Sequence, residues 1–330
     1  MAIGAVAALA AAAALAAAIA AARRLEPVDP SGEPRAFEVA TGATLSQIAA
    51  ALEREGLVRD ARAFVALAQW RELDGRLRAG EFDVSPAWSA GEVLAQLTSG
   101  RVRTHPVSIP EGLRIADVAA RVEGAGLASA ADFERAARDP ALARELGIEA
   151  DDLEGYLFPE TYRFPRGVAA ADVARALVAQ FFRVWAEIAP RAQGLALSRH
   201  EIVTLASIVE KETGAADERP LIASVFLNRL KRGMRLETDP TVIFGIPDFD
   251  GNLRRVHLED AGNPYNTYRI SGLPPGPIAS PGRAALEAVV APADSRFLYF
   301  VARGDGTHEF SARYADHARA VDRYQRRRRR

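Results

Sequence analysis

Arg199-His-Glu-Ile-Val-Thr-Leu-Ala-Ser-Ile-Val-Glu-Lys-Glu-Thr-Gly214 reads as a helix that stops on a glycine. Ile202, Leu205, Ala206 and Val209 recur at i, i+3, i+4 and i+7, the spacing of a buried helical stripe. Two carboxylates, Glu210 and Glu212, close the helix and sit about equally far from that stripe, on opposite sides. Three pressures raise the pKa of a carboxylate there. Apolar neighbours strip its water, the helix C-terminus presents partial negative charge, and the other carboxylate lies two residues away. Glu210 stacks over Ala206 and Ser207, whereas Glu212 stacks over Ile208 and Val209 and lies nearer the helix end, so the reading favours Glu212. A carboxyl that keeps its proton near neutral pH is what a general acid needs.

Neighbouring segments extend the pattern. A helix is expected over Ala171–Ile188 and another over Pro220–Arg232, with Pro220 in its first turn and Gly233 at its end. Beyond Gly233 the pattern changes to loops and short strands, with Phe297–Ala302 a fully apolar strand candidate. Upstream, Val39, Gly42, Leu45, Ile48, Ala49, Leu52, Gly56 and Leu57 recur seventy residues later as Ile109, Gly112, Ile115, Val118, Ala119, Val122, Gly126 and Leu127. Each copy is an extended run, a glycine turn and an apolar-faced helix ending at glycine. Between them Glu81–Gly100 reads as another strand, turn and helix. Such units suit a carbohydrate-binding module of the LysM kind or plain scaffolding, and the pattern leaves both open.

Composition narrows the function. The 330 residues leave room for two or three compact units, and a net charge of −1 gives no global field for nucleic acid. The absence of cysteine excludes a disulfide framework, a thiolate metal site and a cysteine nucleophile. The five histidines have no ligand-like spacing, so neither a metal nor another cofactor is expected. Residues Ala2–Ala22 carry no charge and are long enough to span a bilayer, which needs roughly 20 residues. Arg23 and Arg24 follow the span and nothing basic precedes it. The positive-inside rule by itself would put the body in the cytoplasm, a conflict that a basic segment ahead of Met1 would remove.

The segment Ala206-Ser-Ile-Val-Glu-Lys-Glu-Thr213 resembles the catalytic segment of the endolytic murein transglycosylases, the MltG or YceG-like family. The likeness continues through Ala223-Ser-Val-Phe-Leu-Asn-Arg-Leu230, Gly233-Met-Arg-Leu-Glu-Thr-Asp-Pro-Thr-Val-Ile-Phe-Gly245, Tyr265-Asn-Thr-Tyr268, Gly272-Leu-Pro-Pro-Gly276, Ile278-Ala-Ser-Pro-Gly282 and Leu298-Tyr-Phe-Val-Ala302. Upstream, Glu154-Gly-Tyr-Leu-Phe-Pro-Glu-Thr-Tyr162 matches as well. The resemblance implies a lyase that cuts the β-1,4 bond between N-acetylmuramic acid and N-acetylglucosamine inside peptidoglycan strands. It implies an inner-membrane anchor with the catalytic domain in the periplasm, and peptidoglycan synthases as partners. Its catalytic glutamate falls on Glu212.

The expected architecture is α+β: an anchor over 1–24, a linker over 25–34, a LysM-like repeat region over 35–150, a catalytic domain over 151–325 and a basic tail over 326–330. Glu237, Thr238, Asp239, Tyr265, Asn266 and Tyr268 are the candidate substrate-binding residues, with Glu210 in support. Asn266 could pair with N-acetyl groups, and the tyrosines could stack on pyranose faces. Asp239 precedes Pro240, which also suits a residue that merely holds a turn. His308 and Phe310 are read as packing residues. One departure stands out. The family commonly has glutamine before Thr238 and this chain has Glu237. A second carboxylate in the groove would push Glu212 higher or orient a water and permit hydrolysis.

Overall fold

The computed structural model describes residues 2–326, with side chains for 11–325. Two compact units divide the chain: 1–105 with 163–167, and 106–162 with 168–330.

In the first unit the elements are α1 (Ala2–Arg23), β1 (Arg35–Val39), α2 (Leu45–Arg54), α3 (Ala61–Trp70), β2 (Gly80–Val84) and α4 (Ala90–Thr98). Strands β1 and β2 pair antiparallel with Phe37 opposite Phe82, and both rings enter one core with Leu52, Phe64, Leu94 and Leu97. Thr44 and Gln47 close a capping box at the start of α2, as Ser89 and Glu92 do for α4. The strand–turn–helix units read from the sequence are thus present. The expected membrane span falls partly on residues without described side chains. The backbone of the span is helical throughout, as α1. Among the described residues no helix is long and apolar enough to cross a membrane. The basic tail, from 327 onward, lies outside the described residues.

The elements that follow, from residue 105 onward, are β3 (His105–Ile109), α5 (Ile115–Gly124), α6 (Ala130–Ala137), α7 (Pro140–Glu145), β4 (Glu160–Phe164), α8 (Ala170–Ala192), α9 (Arg199–Glu212), α10 (Arg219–Lys231), α11 (Asp239–Phe244), α12 (Arg255–Glu259), α13 (Arg283–Val290), β5 (Tyr299–Ala302), β6 (His308–Ser311) and α14 (Tyr314–Val321). The protein is therefore α+β with three two-stranded sheets among the described residues: β1–β2, β3–β4 and β5–β6. Residues 106–150, expected with the repeat region, belong to the same compact unit as the α9 helix.

Helix α9 packs against α10, α11 and α13. Every residue from Ile202 to Val209 is buried, so the helix runs through the core and is covered on all sides, where the sequence suggested one stripe. Its two small polar residues are spent inside. The Thr204 hydroxyl donates to the carbonyl of His200 at 2.8 Å, and Ser207 accepts from the amide of Ile278 at 3.0 Å. The second copy of the repeat braces this helix. The amide of Gly112 donates to the Ser280 carbonyl and the Ser280 amide to the Leu113 carbonyl, both at 2.8 Å. Lys211 Nζ reaches the Gly112 carbonyl at 3.1 Å.

Candidate active site

Helix α9 ends at Glu212, and the chain leaves through Thr213 in an extended conformation. A cavity of about 440 Å³ opens there, lined by Glu212, Thr238, Asp239, Tyr268 and, from the last hairpin, Phe300 and His308. Glu212 is half-buried. Burial of its carboxyl pushes the pKa up, the Asp239 charge adds to that, and the bond from Thr238 opposes it. The Thr238 hydroxyl donates to Glu212 Oε1. That orients the carboxyl and leaves Oε2 as the oxygen free of this bond.

The donor is itself held. The Thr238 amide donates to Thr267 Oγ1 at 3.0 Å, and the Thr241 hydroxyl donates to the Thr238 carbonyl at 2.8 Å. Thr241 and Thr267 bond to each other at 2.9 Å, and all three threonines are buried. Asp239, expected in a loop, opens helix α11 with Pro240 behind it in the first turn. Its Oδ1 accepts from the Tyr268 hydroxyl at 2.7 Å.

Arg229 of α10 supports the floor of the cavity. It is buried, and it donates to the carbonyls of Leu298 at 2.7 Å and Leu236 at 2.9 Å and to Glu237 Oε2 at 3.0 Å. Glu237 has φ of +54°, a left-handed conformation that few non-glycine residues adopt. The ion pair with Arg229 and the bond from its amide to the Thr267 carbonyl at 3.2 Å hold it there.

Residues 37–323 match the YceG-like family. The chain belongs to that family. A Bacillus subtilis (strain 168) protein named endolytic murein transglycosylase is 29% identical over 317 residues, covering 91% of this chain and 88% of its own length. A Streptococcus pneumoniae (serotype 2, strain D39) protein of the same name is 29% identical over 316 residues; the match covers 86% of this chain and 57% of that protein. The crystal structure of a yceG-like protein from Listeria monocytogenes has a TM-score of 0.61 at 30% identity, over 88% of this chain and all of that one.

Within this YceG-like chain the candidates separate. Glu212, Glu237, Thr238, Asp239 and Tyr268 line one cavity. Asn266 does not: it is fully buried, and its Nδ2 donates to the carbonyls of His257, Leu258 and Asp260, so it ties a loop and has no free amide for a sugar. Tyr265 packs on Phe244 with ring centroids 4.7 Å apart and is not part of the cavity wall. Glu210, expected to raise Glu212, is occupied elsewhere. It accepts from the Gly282 amide at 2.9 Å and pairs with Arg219 at 3.4 Å. The carboxylate that acts on Glu212 is Asp239, not Glu210 or Glu237.

Arg229 and His308 were not singled out as site residues from the sequence. Arg229 stands just past the largely apolar run Leu221–Leu227, and its burial could not be read from that position. His308 gave no local signal, because its partner Glu218 is 90 residues away.

Proposed function

We propose that this chain is an endolytic murein transglycosylase, cutting the β-1,4 bond between N-acetylmuramic acid and N-acetylglucosamine within glycan strands. One observation carries the reading: a single carboxyl, Glu212, is desolvated at the end of a core helix, opens on a cavity and is oriented by Thr238. The names of the Bacillus and Streptococcus relatives point to the same chemistry.

Burial favours the protonated form of this carboxyl, which gives its proton to the departing glycosidic oxygen. The C6 hydroxyl of the muramyl residue attacks its own anomeric carbon, and the ionised Glu212 recovers the proton. The product is a 1,6-anhydromuramyl end, formed without water. An internal nucleophile gains from high effective molarity, so no second carboxylate is needed as nucleophile. Tyr268 on the cavity wall is suited to stack on a sugar face. Glu237 is committed to Arg229, which argues against its activating a water.

A membrane anchor over the uncharged run Ala2–Ala22, with the second unit in the periplasm beside peptidoglycan synthases where cutting would end strand elongation, belongs to the same proposal and rests on that run and on the exposure of Leu15 and Ile19. The strand–turn–helix first unit supports a LysM-like role in holding glycan. The test is mass spectrometry of purified glycan strands digested by wild type and Glu212→Gln. Anhydro ends lost in the variant are expected. Full activity of the variant, or reducing ends only from wild type, would sink the reading.

A further inference from the structure

His308 is a titratable group of the cavity that the mechanism above leaves idle. It begins β6, opposite Ala302 of β5, and its ring packs edge-on to Phe300 at 5.4 Å. Glu218, in the turn before α10, grips it twice. Oε1 accepts from the His308 amide at 2.8 Å, and Oε2 lies 2.6 Å from Nδ1. Both side chains are nearly buried, at 12% and 13% exposure, so the pair is shielded from solvent screening. A carboxylate on Nδ1 fixes the tautomer and turns the other ring nitrogen into the working one. Nε2 is therefore the nitrogen left for the cavity that Glu212 shares, and the carboxyl of Glu212 feels the His308 charge. Packing alone would call for neither the double grip nor a place on the cavity wall.

We propose that His308, oriented by Glu218, is a second catalytic residue, the base that takes the proton of the attacking C6 hydroxyl. This rests on the transglycosylase reading and divides between two residues the proton transfers given there to Glu212. As the bond between C1 and the glycosidic oxygen breaks, the leaving oxygen keeps the proton of Glu212. As the C6 oxygen bonds to C1, its proton passes to Nε2. The resulting imidazolium, paired with Glu218, returns that proton to the Glu212 carboxylate. Both residues end as they began, and nothing else is consumed. The charged groups sharing the cavity are Glu212, Arg229, Glu237 and Asp239, with His317; Glu218 is the one bonded to the ring.

The two schemes differ in their pH profiles. A lone carboxyl that is first acid and then base gives only a basic limb, because protonation at low pH does it no harm. Two groups give a bell. The experiment is kcat/KM from pH 4 to 9 (about the range needed to see both limbs) on purified glycan strands, for wild type, Glu212→Gln, His308→Gln and Glu218→Gln. Thermal unfolding of each variant is measured alongside. Wild type is expected to be bell-shaped. His308→Gln should lose the acid limb and fall roughly 10²- to 10⁴-fold. Glu218→Gln, which loosens the hold on Nδ1, should lower kcat/KM roughly 10- to 100-fold and alter the acid limb, because the ring is no longer held in place.

A wild-type profile without an acid limb overturns the proposal. So does a His308→Gln profile that keeps both limbs unmoved, which would mean a packing role. Should His308→Gln fail to fold, the pH profiles of His308→Asn and Glu218→Gln decide. Glu212→Gln separates the two readings. Activity there removes the transglycosylase assignment itself, whereas its inactivity with a flat acid side in wild type removes only the role of His308.

Discussion

Thr238 donates its hydroxyl hydrogen to Oε1 of Glu212, and two further buried threonines, Thr241 and Thr267, lock that donor in place. The bond favours the ionised carboxylate against the burial that raises it. Thr238→Val removes the donor at similar volume. The basic limb of the pH–rate profile should move to higher pH, and the plateau rate should fall roughly 10- to 100-fold through lost orientation, as for a hydrogen bond to a charged group worth about 1.5–3 kcal/mol. Thr238→Ser should restore most of both. A Thr238→Val profile with an unmoved limb would show that the bond does not set the acidity of Glu212.

Glu210 separates from Glu212 by a different measurement. Its side chain and that of Arg219 are 6% and 13% exposed, and it also accepts from the Gly282 amide. Breaking such a buried pair costs about 3–5 kcal/mol. Glu210→Gln should therefore lower the denaturation midpoint markedly while leaving the pH limbs of the folded enzyme in place. A shift of either limb with full stability would return Glu210 to the chemistry.

Glu237→Gln should leave the ratio of anhydro to reducing ends unchanged, because its carboxylate is held by Arg229 and is not among the charges acting on Glu212. Its side chain is 47% exposed, so loss of the ion pair should cost no more than about 1 kcal/mol. Product analysis that found more reducing ends in wild type than in the variant would instead place Glu237 beside a water.

Glu154 supplies a pH test of stability. It is buried, and burial pushes its pKa from 4.5 up to about 7, with the Ile115 amide donating to Oε2 at 3.2 Å as a partial offset. The folded state thus holds the proton more tightly than the unfolded one. The contribution is fully present below pH 4.5 and is lost as pH rises through about 7. Glu154→Gln, neutral at every pH, should gain on wild type by roughly 3 kcal/mol between pH 5 and pH 8 in urea denaturation, an upper figure for a shift of this size. A constant difference between the two proteins across that range would contradict the assignment.

What could be read from the sequence was whatever is local. The glycine-closed helices and the end of α9 at Glu212 follow from period and punctuation, and residues near 238 were recognisable as one block. What could not be read was whatever depends on a distant partner. Asn266 carries the right amide for a sugar, and only the fold shows that three carbonyls have claimed it. Glu210 and Glu212 are near-equivalent on a helical wheel. The difference between them comes from Arg219 and Gly282 on one side and Thr238 and Asp239 on the other. His308 needed Glu218 beside it before it was more than a ring in a hairpin.

The bonds from Gly112 and Leu113 to Ser280, and from Lys211 to Gly112, bear on how the protein can be dissected. A fragment cut at 150, where the sequence suggests a seam, would leave the Ser280 amide and carbonyl unpaired and the Lys211 ammonium of the reactive helix without its carbonyl. The compact unit that holds the helix begins instead near Pro106, so the second copy of the repeat belongs with the candidate active site, and the two copies are not interchangeable.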